Sequence, residues 1–402
     1  MNLGETSPVC DLSVERSIAS HFAALEDPRS STQSRHKLIE MLVIAIAATL
    51  SGADGWVGVE TFARAKEAWL RSFLELPEGI PSHDTFGRVF GLINPEQFAA
   101  CFRRWSEAVA ELIPDEIIAV DGKTLRRSHN RGNGLAALHL VSAWATANRV
   151  VLGQVATDTK SNEITAIPRL LQWLKLQGCI VTIDAMGCQT KIAEQIIRQG
   201  GDYVLALKGN QETLAAEVEE AFIDADAKNY VGFDSEYLET VERDHGRLET
   251  RRYRTLGDLS GVPRSALWKA MNMIGMVESR REVAGKVTFE TRYYIGSIGT
   301  SAARFARAAR GHWGIENGLH WNLDISFRED ECRVRDPVAR ENLAVLRHIA
   351  LSRLKNDNTT LGIQNKRLKA ACNEHYLTKL LFESPRSKGD TKTSMPANIS
   401  YA

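Results

Sequence analysis

Two short apolar runs that end on an aspartate constrain this chain more than any other feature. Glu116-Ile117-Ile118-Ala119-Val120-Asp121 is rich in β-branched residues up to its carboxylate and then meets Gly122 and a basic cluster, Lys123 to Arg127. Ile180-Val181-Thr182-Ile183-Asp184-Ala185 repeats the pattern. Runs this short, bounded by turn residues, read as strands buried on both faces. Open α/β sheets tend to hold ligands at such strand ends. Aspartate also caps turns after strands, so neither residue alone decides. Two carboxylates on neighbouring strand ends, however, repel each other unless a cation lies between them. Hard oxygen ligands suit Mg²⁺ or Mn²⁺. Phosphate oxygens can complete such a shell, and Lys123, Thr124, Arg126 and Arg127 could hold the backbone that carries them. The pattern points to metal-dependent phosphoryl-transfer chemistry on nucleic acid.

The charge balance qualifies this. Fifty basic and fifty acidic residues give a formal net charge of zero over 402 residues, unlike a plain DNA-binding module, which is usually basic overall. Contacts to nucleic acid must come from local patches. The six cysteines include no C-x-x-C pair and no signal peptide is legible, so they read as reduced thiols of a cytosolic protein. The longest apolar run, Met41 to Leu50, is about half of the roughly 20 residues a membrane span needs. No membrane partner is expected.

In chain order, residues 1–114 read as a helical domain, with the His83–Arg88 segment a candidate DNA-end-binding surface. Residues 115–232 then give a three-strand meander followed by helix, strand, helix, strand. That is the element order of an RNase H-like mixed sheet, an α/β fold. Residues 233–299 read as a β-rich insertion in which His245, Arg247, Glu249 and Arg251 alternate onto one face. Such a face is either a solvated ion-pair ladder or a substrate-facing surface. Residues 300–382 return to helix, and 383–402 have the composition of a disordered tail.

Gly122-Lys123-Thr124 is not a nucleotide-triphosphate loop, because position 117 is Ile where that loop needs glycine. His312, Glu316 and His320 are spaced by four and would share one helical face. They could ligate zinc, or the histidines could touch phosphate or support a catalytic glutamate. With Asp121 and Asp184, Glu316 makes three carboxylates from separate elements. Two divalent ions roughly 3.5–4 Å apart in such a cage can activate an attacking oxygen and stabilise a leaving one. Glu329 and Glu331 are expected to be dispensable.

Several stretches resemble the DDE transposases of bacterial insertion sequences, in the branch that includes the H-repeat-associated proteins. They are Asp121-Gly122-Lys123-Thr124-Leu125-Arg126, Thr182-Ile183-Asp184-Ala185, Leu207-Lys208-Gly209-Asn210-Gln211 and His245-Gly246-Arg247. His312-Trp313-Gly314-Ile315-Glu316-Asn317, Leu319-His320-Trp321 and Pro81-Ser82-His83-Asp84-Thr85-Phe86 extend the likeness. The resemblance implies an RNase H-like core, two Mg²⁺ ions held by the catalytic residues Asp121, Asp184 and Glu316, and cut-and-join chemistry at an element's terminal repeats. It implies DNA contacts at Lys123, Thr124, Arg126, Arg127, Lys208, Asn210, His245, Arg247, Arg310, His312 and His320. Terminal repeats and target DNA would be the partners, with a homodimer on the DNA in the bacterial cytoplasm, at the nucleoid. Relatives often place Tyr, Arg and Lys seven and four residues before the glutamate and seven after it. Here those positions hold Ala309, His312 and Leu323, which shifts the expected phosphate-binding work to Arg310 or the histidines. The alternatives are a catalytically silent DNA-binding relic and a metal-dependent nuclease that hydrolyses DNA without joining it.

Overall fold

The computed structural model describes residues 18–30, 34–129, 136–157, 163–244 and 246–383. Six helices precede the first strand: α1 (Ile18–Phe22), α2 (Leu38–Leu50), α3 (Trp56–Ala65), α4 (Glu67–Leu70), α5 (His83–Leu92) and α6 (Pro95–Val109). Asn94 caps α6 through the backbone N–H groups of Glu96 and Gln97, with Pro95 pre-setting the first turn. Lys66 separates α3 from α4. Nearly every residue of α2 is buried, as a helix that is apolar all round requires.

Strands β1 (Ile117–Thr124), β2 (His139–Ala145) and β3 (Val150–Thr157) form the expected meander. Helix α7 (Glu163–Gln172), β4 (Ile180–Ile183), α8 (Thr190–Arg198), β5 (Asp202–Leu207) and α9 (Glu212–Ala227) follow. Strands β6 (Ser235–Asp244), β7 (Arg247–Leu256), β8 (Met273–Val283) and β9 (Lys286–Gly296) come next. All nine strands form one sheet in the order β3-β2-β1-β4-β5-β9-β8-β7-β6. Strand β1 pairs parallel with β4, and β4 with β5, while every other pairing is antiparallel. The β-rich block therefore extends the sheet sideways from β5, through pairs such as Val204↔Gly296 and Leu207↔Tyr293.

Alternation along the strands sends side chains to two different cores. Ile118, Val120, Val181 and Ile183 pack with Ile167, Leu170, Ile192 and Ile196 of α7 and α8. On the opposite face, Ile180 and Val204 pack with Phe305, Ala308 and Ala309 of α10 (Ala302–Ile315). The chain leaves α10 through a π-helical turn, Glu316–His320, into α11 (Trp321–Ile325), and ends with α12 (Pro337–Asn356), α13 (Ile363–Cys372) and α14 (Glu374–Phe382). Helix α12 packs against α2, α5, α6 and β3. Its Leu346 and Ile349 share a core with Ile44 of α2, Phe102 of α6, and Ile315 and Leu319 beside Glu316. The helices before β1 and those after β9 thus close around one apolar centre.

Candidate active site

The parallel register fixes the heart of the site. Val120 pairs with Ile183; Asp121 is the next residue of β1, and Asp184 is the first residue after β4. Neighbouring strands lie about 4.8 Å apart, so the two carboxylates leave adjacent positions. Asp121 shares the strand face of Ala119, and Asp184 that of Thr182, which is the face covered by α10. Thr182 there meets His312 Nδ1 of α10 at 3.2 Å through its hydroxyl. Glu316 lies at the first position of the π-helical turn, directly after α10. A cavity of about 230 Å³ is lined by Asp121, Asp184 and Glu316, with Lys208, His312 and Trp313 on its walls.

The electrostatics of this cavity are those of crowded anions. Burial is the largest effect on Asp121 and pushes its carboxyl up to about 7. The Gly122 N–H, donating to Asp121 Oδ1 at 2.8 Å, opposes this, while Asp184, Glu316 and Glu163 push it further up. A buried carboxyl crowded by other carboxylates holds its proton more tightly than usual, and a divalent cation would relieve the same crowding. The donor set, three carboxylates from three elements, fits a hard divalent ion. Among the described residues no preformed cluster of metal-ligating side chains is drawn together, so the carboxylates line the cavity without closing on its centre. Asp184 also caps the turn that follows it, accepting from the Met186 N–H at 3.1 Å.

The two histidines flank the carboxylates: His312, which lines the same cavity as Glu316, faces Thr182, and the His320 Nδ1 lies 3.5 Å from Asp121 Oδ2. Burial keeps both imidazoles neutral, with His320 lowered to about 3. Its Nε2 is buried without a hydrogen-bond partner. Neutral, enclosed rings orient carboxylates; they offer no charge to a phosphate. No zinc cluster of His312, Glu316 and His320 is formed.

Lys123, expected at a phosphate, is placed otherwise. Its ammonium sits 2.7 Å from Asp324 Oδ1 and 2.7 Å from Glu329 Oε2, and the side chain is 10% exposed. Glu329, expected to be dispensable, is fully enclosed and also pairs with Arg347 at 3.4 Å. Burial alone would raise its carboxyl, but Lys123 and Arg347 outweigh it and hold it at about 2. The Thr124 hydroxyl bonds His139 Nδ1 at 2.7 Å, and His139 Nε2 meets Glu163 Oε1 at 2.7 Å. This buried pair explains Gly122, since a Cβ there would lie 2.3 Å from Glu163 Oε1 and 2.6 Å from His139 Nε2. Sequence reasoning missed His139, Glu163 and Glu329. The only signal was the acidic start of α7, which looked like a cap.

Other expected contact residues divide into exposed and engaged groups. Arg127 and Lys208 are exposed, and Arg126 is exposed beside Asp330 at 3.4 Å. Asn210 donates to the Ala185 carbonyl at 2.5 Å and so props the turn after Asp184. Arg310 pairs with Glu242 at 2.7 Å, and Arg247 lies 3.5 Å from Glu249. Arg304 and Arg307 are held by Asp115. His245 lies outside the described residues.

The nine-stranded mixed sheet thus carries one acid inside β1 and a second directly after the adjacent β4, with a third at the turn that follows α10. The chain belongs to the DDE transposases: the family described as Transposase DDE domain matches residues 113–353, and the one described as DDE_Tnp_1-associated matches residues 19–106. The chain is 38% identical over 376 residues to the Escherichia coli K12 protein named "H repeat-associated putative transposase YhhI", covering 91% of this chain and 98% of that one. It is 48% identical over 279 residues to an uncharacterized protein in the dhlA 3′ region of Xanthobacter autotrophicus, covering 69% of this chain and 92% of that one. A third relative, "Inactive transposase YbfQ" of Escherichia coli K12, is 34% identical over 74 residues, which is 18% of this chain and 88% of its own. No described helix is long and apolar enough to cross a membrane.

Proposed function

We propose that this protein is an active transposase that binds the terminal repeats of its element and target DNA, cuts DNA strands and joins them, with Asp121, Asp184 and Glu316 as the catalytic carboxylates. The observation that carries the reading is the single cavity lined by all three, on the α10 face of the sheet. The strand order β3-β2-β1-β4-β5, with two parallel pairings at its centre, supports an RNase H-like core. In this reading residues 115–232 and 300–382 make the core, 233–299 are an insertion, and 1–114 contribute to DNA-end binding as part of a homodimer on the DNA. The 383–402 segment lies almost wholly outside the described residues.

Asp121, Asp184 and Glu316 would hold Mg²⁺, as two ions, or Mn²⁺. Bound there, the metal would supply Lewis-acid activation of the attacking and leaving oxygens of a phosphodiester. The chain's own groups do the rest. Asp121 is aimed by the Gly122 N–H and by His320, and Asp184 by the turn that Asn210 braces. Lys208 stands at the cavity wall, where it can meet a strand's phosphate. Arg126 and Arg127, exposed beyond β1, would take the backbone further out.

The test is strand cleavage on DNA carrying the inverted repeats that bracket the gene. Asp121→Asn and Asp184→Asn should abolish cleavage in Mg²⁺ while binding of those ends survives, because each removes a charge and little volume. Near-normal cleavage by either variant overturns the assignment. A wild-type protein that binds ends but never cuts would point to a silent relic, a reading that the relative named as inactive brings into view.

A further inference from the structure

A second cavity, of about 310 Å³, opens beside the acidic one on the inserted part of the sheet. Arg292, Tyr294, Ala309, Trp313 and Glu316 line both. The two are therefore continuous, but their charge is opposite. Five arginines from three strands and a helix converge on the second cavity: Arg247 and Arg251 of β7, Arg281 of β8, Arg292 of β9 and Arg310 of α10. Among the lining residues they face three glutamates, Glu249, Glu290 and Glu316.

The arrangement is built rather than a loose surface patch. Glu249 is 2% exposed and acts as the anchor, with Arg251 at 2.7 Å, Arg281 at 3.3 Å and Arg247 at 3.5 Å from its oxygens. Its Oε2, 3.5 Å from Arg247, is buried and makes no hydrogen bond among the described residues. Arg292 is flattened over the Trp313 ring at 4.6 Å while bonding Glu290 at 2.7 Å. Glu242 also bonds Arg251 at 3.0 Å and Arg310 at 2.7 Å, so two carboxylates face four guanidinium groups, and Arg281 and Arg247 keep 47% and 39% of their side chains exposed. Planar donors fixed by packing, with spare N–H groups, suit the tetrahedral oxygens of a phosphate.

Building on the transposase reading, we infer that this arginine cavity is a strand-holding subsite. It takes a phosphodiester of the same DNA strand whose neighbouring phosphate enters the acidic cavity. Opposite charges in adjoining cavities give the strand a direction and a register. The acidic cavity repels a bare phosphate, and the arginine cavity fixes its neighbour so that the reacting one is delivered to the carboxylates. The residues this adds are Arg281 and Arg292, with Arg251 and Glu249 as their support.

The test is fluorescence anisotropy of a labelled short oligothymidylate, in parallel with a duplex of the same length, titrated with salt and with divalent metal chelated. Arg281→Gln and Arg292→Gln are the variants, since both side chains are partly exposed; circular dichroism melts check that each folds. Arg264→Gln, outside the cavity on the segment beside α9, is the control. Each cavity variant should weaken oligothymidylate binding and lower the slope of log affinity against log salt by about 0.7. The control should leave the slope unchanged. Unchanged slopes in both cavity variants overturn the subsite, and so does a loss confined to the duplex. Because the readout is metal-free binding, a protein that never cleaves DNA defeats the transposase activity and leaves this measurement to decide the subsite separately.

Discussion

The Lys123 ammonium lies 2.7 Å from Glu329 Oε2. Strand β1, which carries Asp121, is thereby tied to the segment that follows Glu316. Asp121 and Lys123 share a strand face, so the ion pair sets the distance between the two acidic elements from just behind the cavity. Arg347 of α12 continues the tie through its pair with Glu329 and its bond to the Asp54 carbonyl before α3. The helices before β1 are coupled to the site along this line.

Removing one partner from such a pair strands the other in the interior. Lys123→Met would leave Glu329 with Arg347 alone, so it should lower stability by at most about 3–5 kcal/mol, the cost when a buried charge is left wholly unpaired, read as a lower midpoint in urea unfolding. Glu329→Gln should be impaired by the same route. If Lys123 instead served DNA, its variant would keep wild-type stability and lose salt dependence in binding. That result would place its ammonium outside the ion pair.

Gly122 gives a sharper steric case. Gly122→Ala puts a methyl group against the His139–Glu163 pair, both members of which are buried. Overpacking of this kind costs about 1–3 kcal/mol, and here it also displaces Asp121. The expected outcome is a lower melting temperature together with loss of cleavage. An unaltered melt would mean that the pair can yield.

Much of the scaffold was legible in the residues, for physical reasons that differ by element. Helix α8 spans Thr190–Arg198, as its apolar spacing predicts, because one face is buried against the sheet and the rest is polar. Asp184 follows β4 directly, as a β-branched run that stops at a turn residue predicts, but β1 runs on through Gly122 to Thr124 because β2 keeps pairing with it, so Asp121 lies inside a strand that was expected to end there. The pairing of Val120 with Ile183, which makes the two aspartates neighbours, is a long-range fact that no local pattern encodes. Nor could periodicity find the π-helical turn after α10, since it assumes a constant residue count per turn. Lys123 was misread because a positive charge after a glycine looks the same whether it meets phosphate or Glu329.

The elevated Asp121 carboxyl makes a pH prediction for the metal-free protein. Its folded value of about 7 exceeds the ordinary 3.8, so the native state binds the extra proton between those values. The stability from this group is fully present below about pH 4 and is lost as pH rises through about 7. Each unit of difference is worth about 1.4 kcal/mol, so the span amounts to a few kcal/mol at most. A divalent ion competes with that proton. Mg²⁺ should therefore raise the melting temperature more at about pH 8 than at about pH 5, and Asp121→Asn should erase the difference. Equal increments at both pH values would sever the carboxyl from metal binding.

Glu316 is separated from Asp184 by α8, β5, α9, the four strands β6 to β9, and α10. Its place at the cavity depends on α10 crossing the sheet face. Apolar Ile315 and Leu319 on either side are fully buried in the core shared with α2 and α12, which fixes the turn that presents Glu316. The carboxylate itself is exposed on the cavity wall, so its loss should leave packing intact. Glu316→Gln should melt like the wild type yet fail in cleavage as completely as Asp121→Asn. Glu331→Gln is the matched comparison, because Glu331 is exposed and bonded only to Arg328 among the described residues; it should cut normally. Cleavage by the Glu316 variant at a rate near that of the Glu331 variant would remove Glu316 from the reaction and leave the two aspartates without their third partner.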